Sequence, residues 1–366
     1  MRAHQAAHRR GWRALTAAAL VAAAMVGSSG ATAQAASAPA AAAGYRHGVV
    51  PQLGSTSDSR ATGSVAASGG GLLKYGGGTN GIGVTTGPPQ VYVIFWGAQW
   101  GSAGSDGNGY TTLSRDIKGM APALQAFFAG LGTAGESWSG VMTQYCEGIA
   151  AGSTSCPLAA THVGYPAGGA LAAVWADNGV RAPSSPSGHQ LAAEAVRAAR
   201  HFGNTAFGSN RNNQYFIVSP HGSHPDGFPG SGFCAWHDYT TDSTLPGGPA
   251  GLKFDPLAFT NMPYVTDAGT SCGSGFVNGG GAGALDGVTI VGGHEYAETI
   301  TDQYPNGGWL DSTPPPNGPY ENGDKCAWIS SGLGASQNLS LATGTFAVQS
   351  TWSNDNNGCR VTHPIM

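Results

Sequence analysis

The chain has 366 residues, 60 of them glycine, only 10% charged, and a formal net charge of −4. Four lysines and no basic cluster argue against nucleic acid or anionic lipid as a partner. No segment after the N-terminal one is long and apolar enough to suggest a membrane span. At the N-terminus, Arg2, Arg9, Arg10 and Arg13 precede an apolar run from Ala14 to Val26, followed by the small residues of ATAQAASA. This is the layout of a secretory signal peptide over residues 1–38, cut at an A-x-A site near Ala35 to Ala38. The run of about 13 residues is shorter than the ~20 a bilayer needs. The Arg9-Arg10 pair leaves both general and twin-arginine export open. Without these four arginines the mature chain has 12 basic against 20 acidic residues, a net charge of −8. The expected location is extracellular.

Residues 39–87 are rich in Ala, Gly and Ser, a composition that buries too little apolar surface to order itself. They read as a flexible leader or propeptide, and residues 88–366 as a single globular domain. The run VYVIFWG (Val91 to Gly97) reads as a buried strand. MAPALQAFFAGLG puts Leu124, Phe127, Phe128 and Leu131 on one helical face and ends at Gly130 or Gly132. Ser187 and Gln190 form an S-x-x-Q capping box before LAAEAVRAARHF, with Gly203 as the stop. YFIVSPHG (Tyr215 to Gly222) is a second core strand, ended by Pro220. Asp286 is placed to cap a third helix, GVTIVGGHEYAETITDQY, which Pro305 terminates. TFAVQSTW (Thr345 to Trp352) alternates like a strand with one wet face. The order predicts a mixed-sheet α/β or α+β domain, loop-rich and disulfide-bonded.

Six cysteines in an exported chain, none in a C-x-x-C spacing, point to disulfides rather than metal thiolates. Pairing of sequence neighbours gives Cys146–Cys156, Cys234–Cys272 and Cys326–Cys359 as the expected set. Spacing does not decide among the 15 connectivities.

The third helix carries the chemistry. In GGHEYAETITDQ, His294 and Glu298 are four residues apart and project from one face, so they can share an ion. Glu295 lies about 100° around the helix, placed to serve as general base. Zinc accepts carboxylate oxygen at nearly the distance of imidazole nitrogen. Gly292-Gly293 cost about 1 kcal/mol each against alanine in a helix, which implies close backbone approach there. Glu295, Glu298, Asp302, Glu321 and Asp324 gather near one histidine within 31 residues, and a divalent cation would relieve their repulsion. After the second core strand lie His221, His224 and His237; His237 or His221 is the candidate extra ligand or oxyanion donor. Calcium is the alternative ion for the oxygen-rich SNDNNG and DSTPPPNGPYENGD. GTSCG (Gly269 to Gly273) fits G-x-S-x-G but lacks the following helix a nucleophile elbow needs.

VTIVGGHEYAETITDQY resembles the zinc helix of thermolysin-type metallopeptidases, with a glutamate in place of the second histidine. The resemblance implies a third ligand some twenty residues on, where this sequence offers Glu321 or Asp324. More widely, VYVIFWG, SPHG, CAWH, DGVTI and TDQYPNGGW resemble the EXORDIUM or phosphate-induced family of secreted proteins and their bacterial relatives. Plant members carry T-N-P after the helix without the His-Glu pair, which implies that the scaffold does not require the site. Two functions follow as expectations. One is a secreted zinc-dependent hydrolase, a peptidase acting on peptide or protein, with His294, Glu298 and Glu321 or Asp324 as ligands and Glu295 and His237 as catalytic groups. The other is a non-catalytic extracellular protein binding cell-wall polysaccharide through exposed tryptophans such as Trp100, Trp138 and Trp309. A carbohydrate hydrolase using paired carboxylates is a third.

Overall fold

Long apolar runs bounded by Gly and Pro become the strands of a six-stranded mixed sheet. The computed structural model describes residues 46–54, 71–251, 254–311 and 320–366, so the expected signal peptide lies outside the described residues. The strands are β1 (His47–Pro51), β2 (Gln90–Trp96), β3 (Leu171–Asp177), β4 (Asn213–Val218), β5 (Phe233–Tyr239) and β6 (Ala258–Met262). Their order is β1-β5-β6-β4-β2-β3. The four strands from β6 to β3 run parallel, and β5 and β1 add antiparallel pairings at one side. This is the mixed α+β architecture the element order implied.

Three helices pack on the sheet: α1 (Met120–Gly130), α2 (Gly188–His201) and α3 (Asp286–Thr301). Strand alternation assigns their faces. Phe216 of β4 meets Phe128 of α1, and Gln214 donates to the Glu295 carbonyl of α3, so α1 and α3 share one face. Tyr215 points the other way, to Tyr92 and to Asn204 just after α2. The capping box at Ser187 and Gln190 is formed, and Leu124, Phe127, Phe128 and Leu131 are all fully buried. The three disulfides join the pairs of sequence neighbours.

All sixteen residues of α3 are buried. A helix enclosed on every side carries no amphipathic stripe. One side faces β5 and β6; the other is covered by β8 (Gly344–Val348), which pairs with β7 (Gln337–Leu341). Gly292 and Gly293 are explained by packing: a Cβ on Gly292 would lie 2.9 Å from Leu124 Cδ1, and on Gly293 3.2 Å from Phe127 Cζ. Their close approach serves the contact with α1, not the ion.

Several expectations are corrected. The supposedly flexible leader contributes β1, whose Val50 is fully buried, and an ordered stretch from residue 71 onward. Its low average apolarity hid a five-residue strand whose partners lie far along the chain, His237 opposite His47 and Ala235 opposite Val50. Asp286 does not cap its own helix: its carboxylate accepts from the Val277 and Asn278 amides at 2.8 and 2.6 Å. The helix ends at Thr301, ahead of Pro305. TFAVQSTW splits into β8 and β9 (Thr351–Ser353), and Val348 through Trp352 are buried throughout, with no wet face. Trp100, Trp138 and Trp309 are at most 1% exposed, each indole donating to a backbone carbonyl. They offer no surface platform for a glycan.

The start of α3 is wedged against the Cys234–Cys272 loop, where a Cβ on Gly287 would sit 1.9 Å from the Cys272 carbonyl oxygen. Because that neighbour is backbone held by a disulfide, Gly287→Ala is expected to destabilise the protein by about 1–3 kcal/mol. A denaturant midpoint unchanged or raised would contradict this packing.

Candidate metal centre

Helix periodicity brings His294 and Glu298 together, with His294 Nε2 3.0 Å from Glu298 Oε1. Asp324, in the turn closed by the Cys326–Cys359 disulfide, brings Oδ1 to 3.7 Å from the same nitrogen. Its amide donates to Glu298 Oε1 at 2.8 Å. These three residues can present one ligand atom each within 4.8 Å of one another. His237 enters from β5. Its Nδ1 lies 3.2 Å from Glu295 Oε2 and 3.7 Å from Glu298 Oε2, and its Nε2 lies 3.6 Å from Glu321 Oε2. His237, Glu295 and Glu298 form a second such triad, so Glu298 is shared. Of the two candidates for a third ligand, Asp324 is beside His294 and Glu321 beside His237.

The tautomer of His294 follows from Gln349. The Gln349 amide nitrogen donates to the Gly323 and Ser350 carbonyls at 2.9 and 3.2 Å, which turns its Oε1 toward His294. His294 Nδ1 therefore donates to that oxygen at 3.0 Å, leaving the Nε2 lone pair facing Glu298 and Asp324. Two glycines close over Glu298. A Cβ on Gly323 would stand 2.9 Å from its Oε1, and one on Gly48 of β1 2.6 Å from its Oε2.

Four carboxylates and two imidazoles thus share a site in which His237, His294, Glu295 and Glu298 have no exposed surface. Unpartnered atoms remain on five of the six: His237 Nε2, His294 Nε2, Glu295 Oε1, Glu298 Oε2 and Glu321 Oε2. The cation adjacent in sequence is committed elsewhere, since Lys325 Nζ bonds Asp311 Oδ2 at 2.7 Å and the Gly71 carbonyl. With protons as the only compensation, burial raises Glu295 and Glu321 well above the carboxylate range and pushes Glu298, beside Asp324, up to about 7. Burial drives His237 well below the usual imidazole value, with His47 and His294 adding to it. His294 goes the other way: burial opposes its charge, but Glu298 and Asp324 hold it raised. The orphaned donors, buried and of mixed N and O type, fit a divalent ion of zinc's character better than calcium, which takes oxygen.

The remaining candidates stand apart. His221 is exposed and pairs with Asp267 at 2.6 Å, and His224 Nδ1 bonds the Phe228 carbonyl. Asp302, raised to about 7 by burial, accepts from the amides of Asn306, Gly307 and Gly308 and organises that loop. In SNDNNG, Asn354 ties Leu73 and Thr154, and Asp355 pairs with His363. Residues 312–319 of the other oxygen-rich stretch lie outside the described residues. Ser271 sits in a 3-10 turn entering a disulfide, not on a strand-to-helix elbow. Sequence reasoning missed Gln349, Gly48 and Gly323, which contribute through contacts far along the chain.

Comparison with known protein families, curated proteins and solved structures finds no match for this chain.

Two expectations follow. Gln349→Ala frees the His294 ring and should lower zinc affinity 10–100-fold, the usual effect of losing such a support, in competition with a chromophoric chelator. Unchanged affinity would remove Gln349 from the site. In the chelated protein, carboxyls raised in the folded state bind protons that the unfolded chain releases near pH 4.5. Its stability is therefore greatest below that pH and falls as pH rises through about 7. Zinc displaces those protons, so the loaded protein should keep its Tm between pH 5 and 8. Parallel Tm profiles with and without chelator would contradict an ion at these donors.

Proposed function

We propose that this protein is a secreted zinc-dependent hydrolase that cleaves peptide bonds, with His294, Glu298 and Asp324 holding the metal. The observation that carries this reading is the convergence of buried, partly unpartnered acidic and imidazole groups around Glu298, with no Lys or Arg side chain among them in the described residues. When bound, zinc supplies Lewis acidity toward a carbonyl oxygen. Glu295 is the base: its Oε1 has no partner, and His237 Nδ1 holds its Oε2, which fixes the carboxyl's orientation. It takes a proton from the attacking water as the carbon–oxygen bond forms, then passes it to the nitrogen as the carbon–nitrogen bond breaks. Disulfides and the N-terminal sequence support an extracellular setting.

The burial of the donors, complete at His294 and Glu298, favours a second reading, a closed structural metal site that catalyses nothing. The two differ in one variant. On the hydrolase reading, the purified protein carries about one zinc per chain, chelator abolishes casein hydrolysis, and Glu295→Gln keeps its zinc but loses at least ~100-fold in rate. Glu298→His should retain the metal, because imidazole replaces carboxylate at a ligand position. Zinc present with no hydrolysis, either in the wild type or with β1 displaced from the donors, would leave the structural reading standing. Absence of any transition metal would end both.

A further inference from the structure

The donors are covered by β1, and the cover is made in a particular way. β1 pairs antiparallel with β5 at the side of the sheet, His47 opposite His237, Val50 opposite Ala235 and Pro51 opposite Phe233. The register slips between His47 and Val50, and Gly48 lies in that irregularity with φ +50°. There its backbone crosses the site. A Cβ on Gly48 would stand 2.1 Å from Cε1 and Nδ1 of His237 and 2.6 Å from Glu298 Oε2. Both of those side chains are fully buried and have no room to swing aside.

β1 is also the one strand of this sheet that precedes residues 55–70, and residues 46–54 contain no cysteine. All three disulfides join residues from 146 onward. What holds β1 is strand pairing and polar contacts: Arg46 with Asp226, His47 Nε2 to Asp242 Oδ2 at 2.9 Å, and the Gln52 and Leu53 amides to Gly232 and Ser271 carbonyls at 2.8 Å. Without β1, β5 becomes an edge strand with free backbone donors and acceptors, and such edges recruit extended chains.

We propose that the outer edge of β5, with His237 and Glu298 beside it, is a binding groove for an extended peptide, that a glycine of that peptide crosses the metal donors, and that β1 fills the groove as an internal stand-in. What becomes of a bound peptide rests on the hydrolase reading; the binding does not. The preference for glycine follows from the space over His237, where any side chain meets an immobile ring. The polar contacts of Arg46, His47 and Gln52 mark where flanking peptide residues are gripped, and Asp226 and Asp242 favour basic residues on the N-terminal side of the glycine.

The test uses the mature chain with Gly48→Val, which expels β1 from the groove, and a second form with wild-type β1 and an engineered protease site within residues 55–70, cut after folding. The probe is a fluorescent peptide of residues 46–54, RHGVVPQLG. It should bind both opened forms at least tenfold more tightly by anisotropy than it binds the intact chain. The same peptide with valine for its glycine should bind at least tenfold more weakly. Equal binding to opened and intact chains, or equal binding of the two peptides, would overturn the proposal. Casein hydrolysis by the zinc-loaded forms separates the two ideas. Peptide binding without hydrolysis in any form leaves the groove and removes the hydrolase. Equal hydrolysis by intact and opened chains does the reverse.

Discussion

Carboxylates buried together repel one another, here with no lysine or arginine side chain in the cluster among the described residues, and that constraint organises the centre of this protein. Glu295, Glu298, Glu321 and Asp324 are buried together with His237 and His294, none more than 7% exposed. An unpaired buried charge is costly, and neutralisation by protons or a cation is the way out. Glu298 is the focus, since it takes part in both triads and lies so close beneath Gly48 and Gly323 that neither position has room for a Cβ.

The scaffold around that focus is built to hold it rigid. α3 is enclosed on every side, its glycines drawn against Leu124 and Phe127 of α1 and its first turn against the Cys272 carbonyl. The Cys326–Cys359 bridge fixes the turn that carries Asp324, and Gln349 links His294 to Gly323 in the same region. Side chains locked in this way are a feature of sites whose geometry matters. The cost is access, because the chain lying over the donors is β1.

What could be read from the sequence was local. The i,i+4 relation of His294 and Glu298 follows from helix period alone, the capping box at Ser187 and Gln190 from spacing, and the core strands around Val93 and Phe216 from their apolar runs. The neighbour pairing of the cysteines agreed with the fold, although spacing does not compel it. What could not be read was long-range. Gln349 looks like one polar residue in an alternating tail until β8 packs on α3 and brings it to His294. β1 is short, lies in an Ala/Gly/Ser-rich stretch, and gains its burial only from a partner far along the chain. The tryptophans were misjudged for the same reason: aromatic residues in glycine-rich segments look exposed until tertiary packing covers them.

The most direct test of the central claim is anomalous scattering at the zinc edge from crystals of the mature protein grown near pH 8 with equimolar zinc. The expected result is one strong peak about 2.0–2.1 Å from His294 Nε2 and about 2.0–2.2 Å from a Glu298 oxygen. A map without a peak there, while His237, His294, Glu295 and Glu298 stay buried and packed as described, would contradict a metal centre.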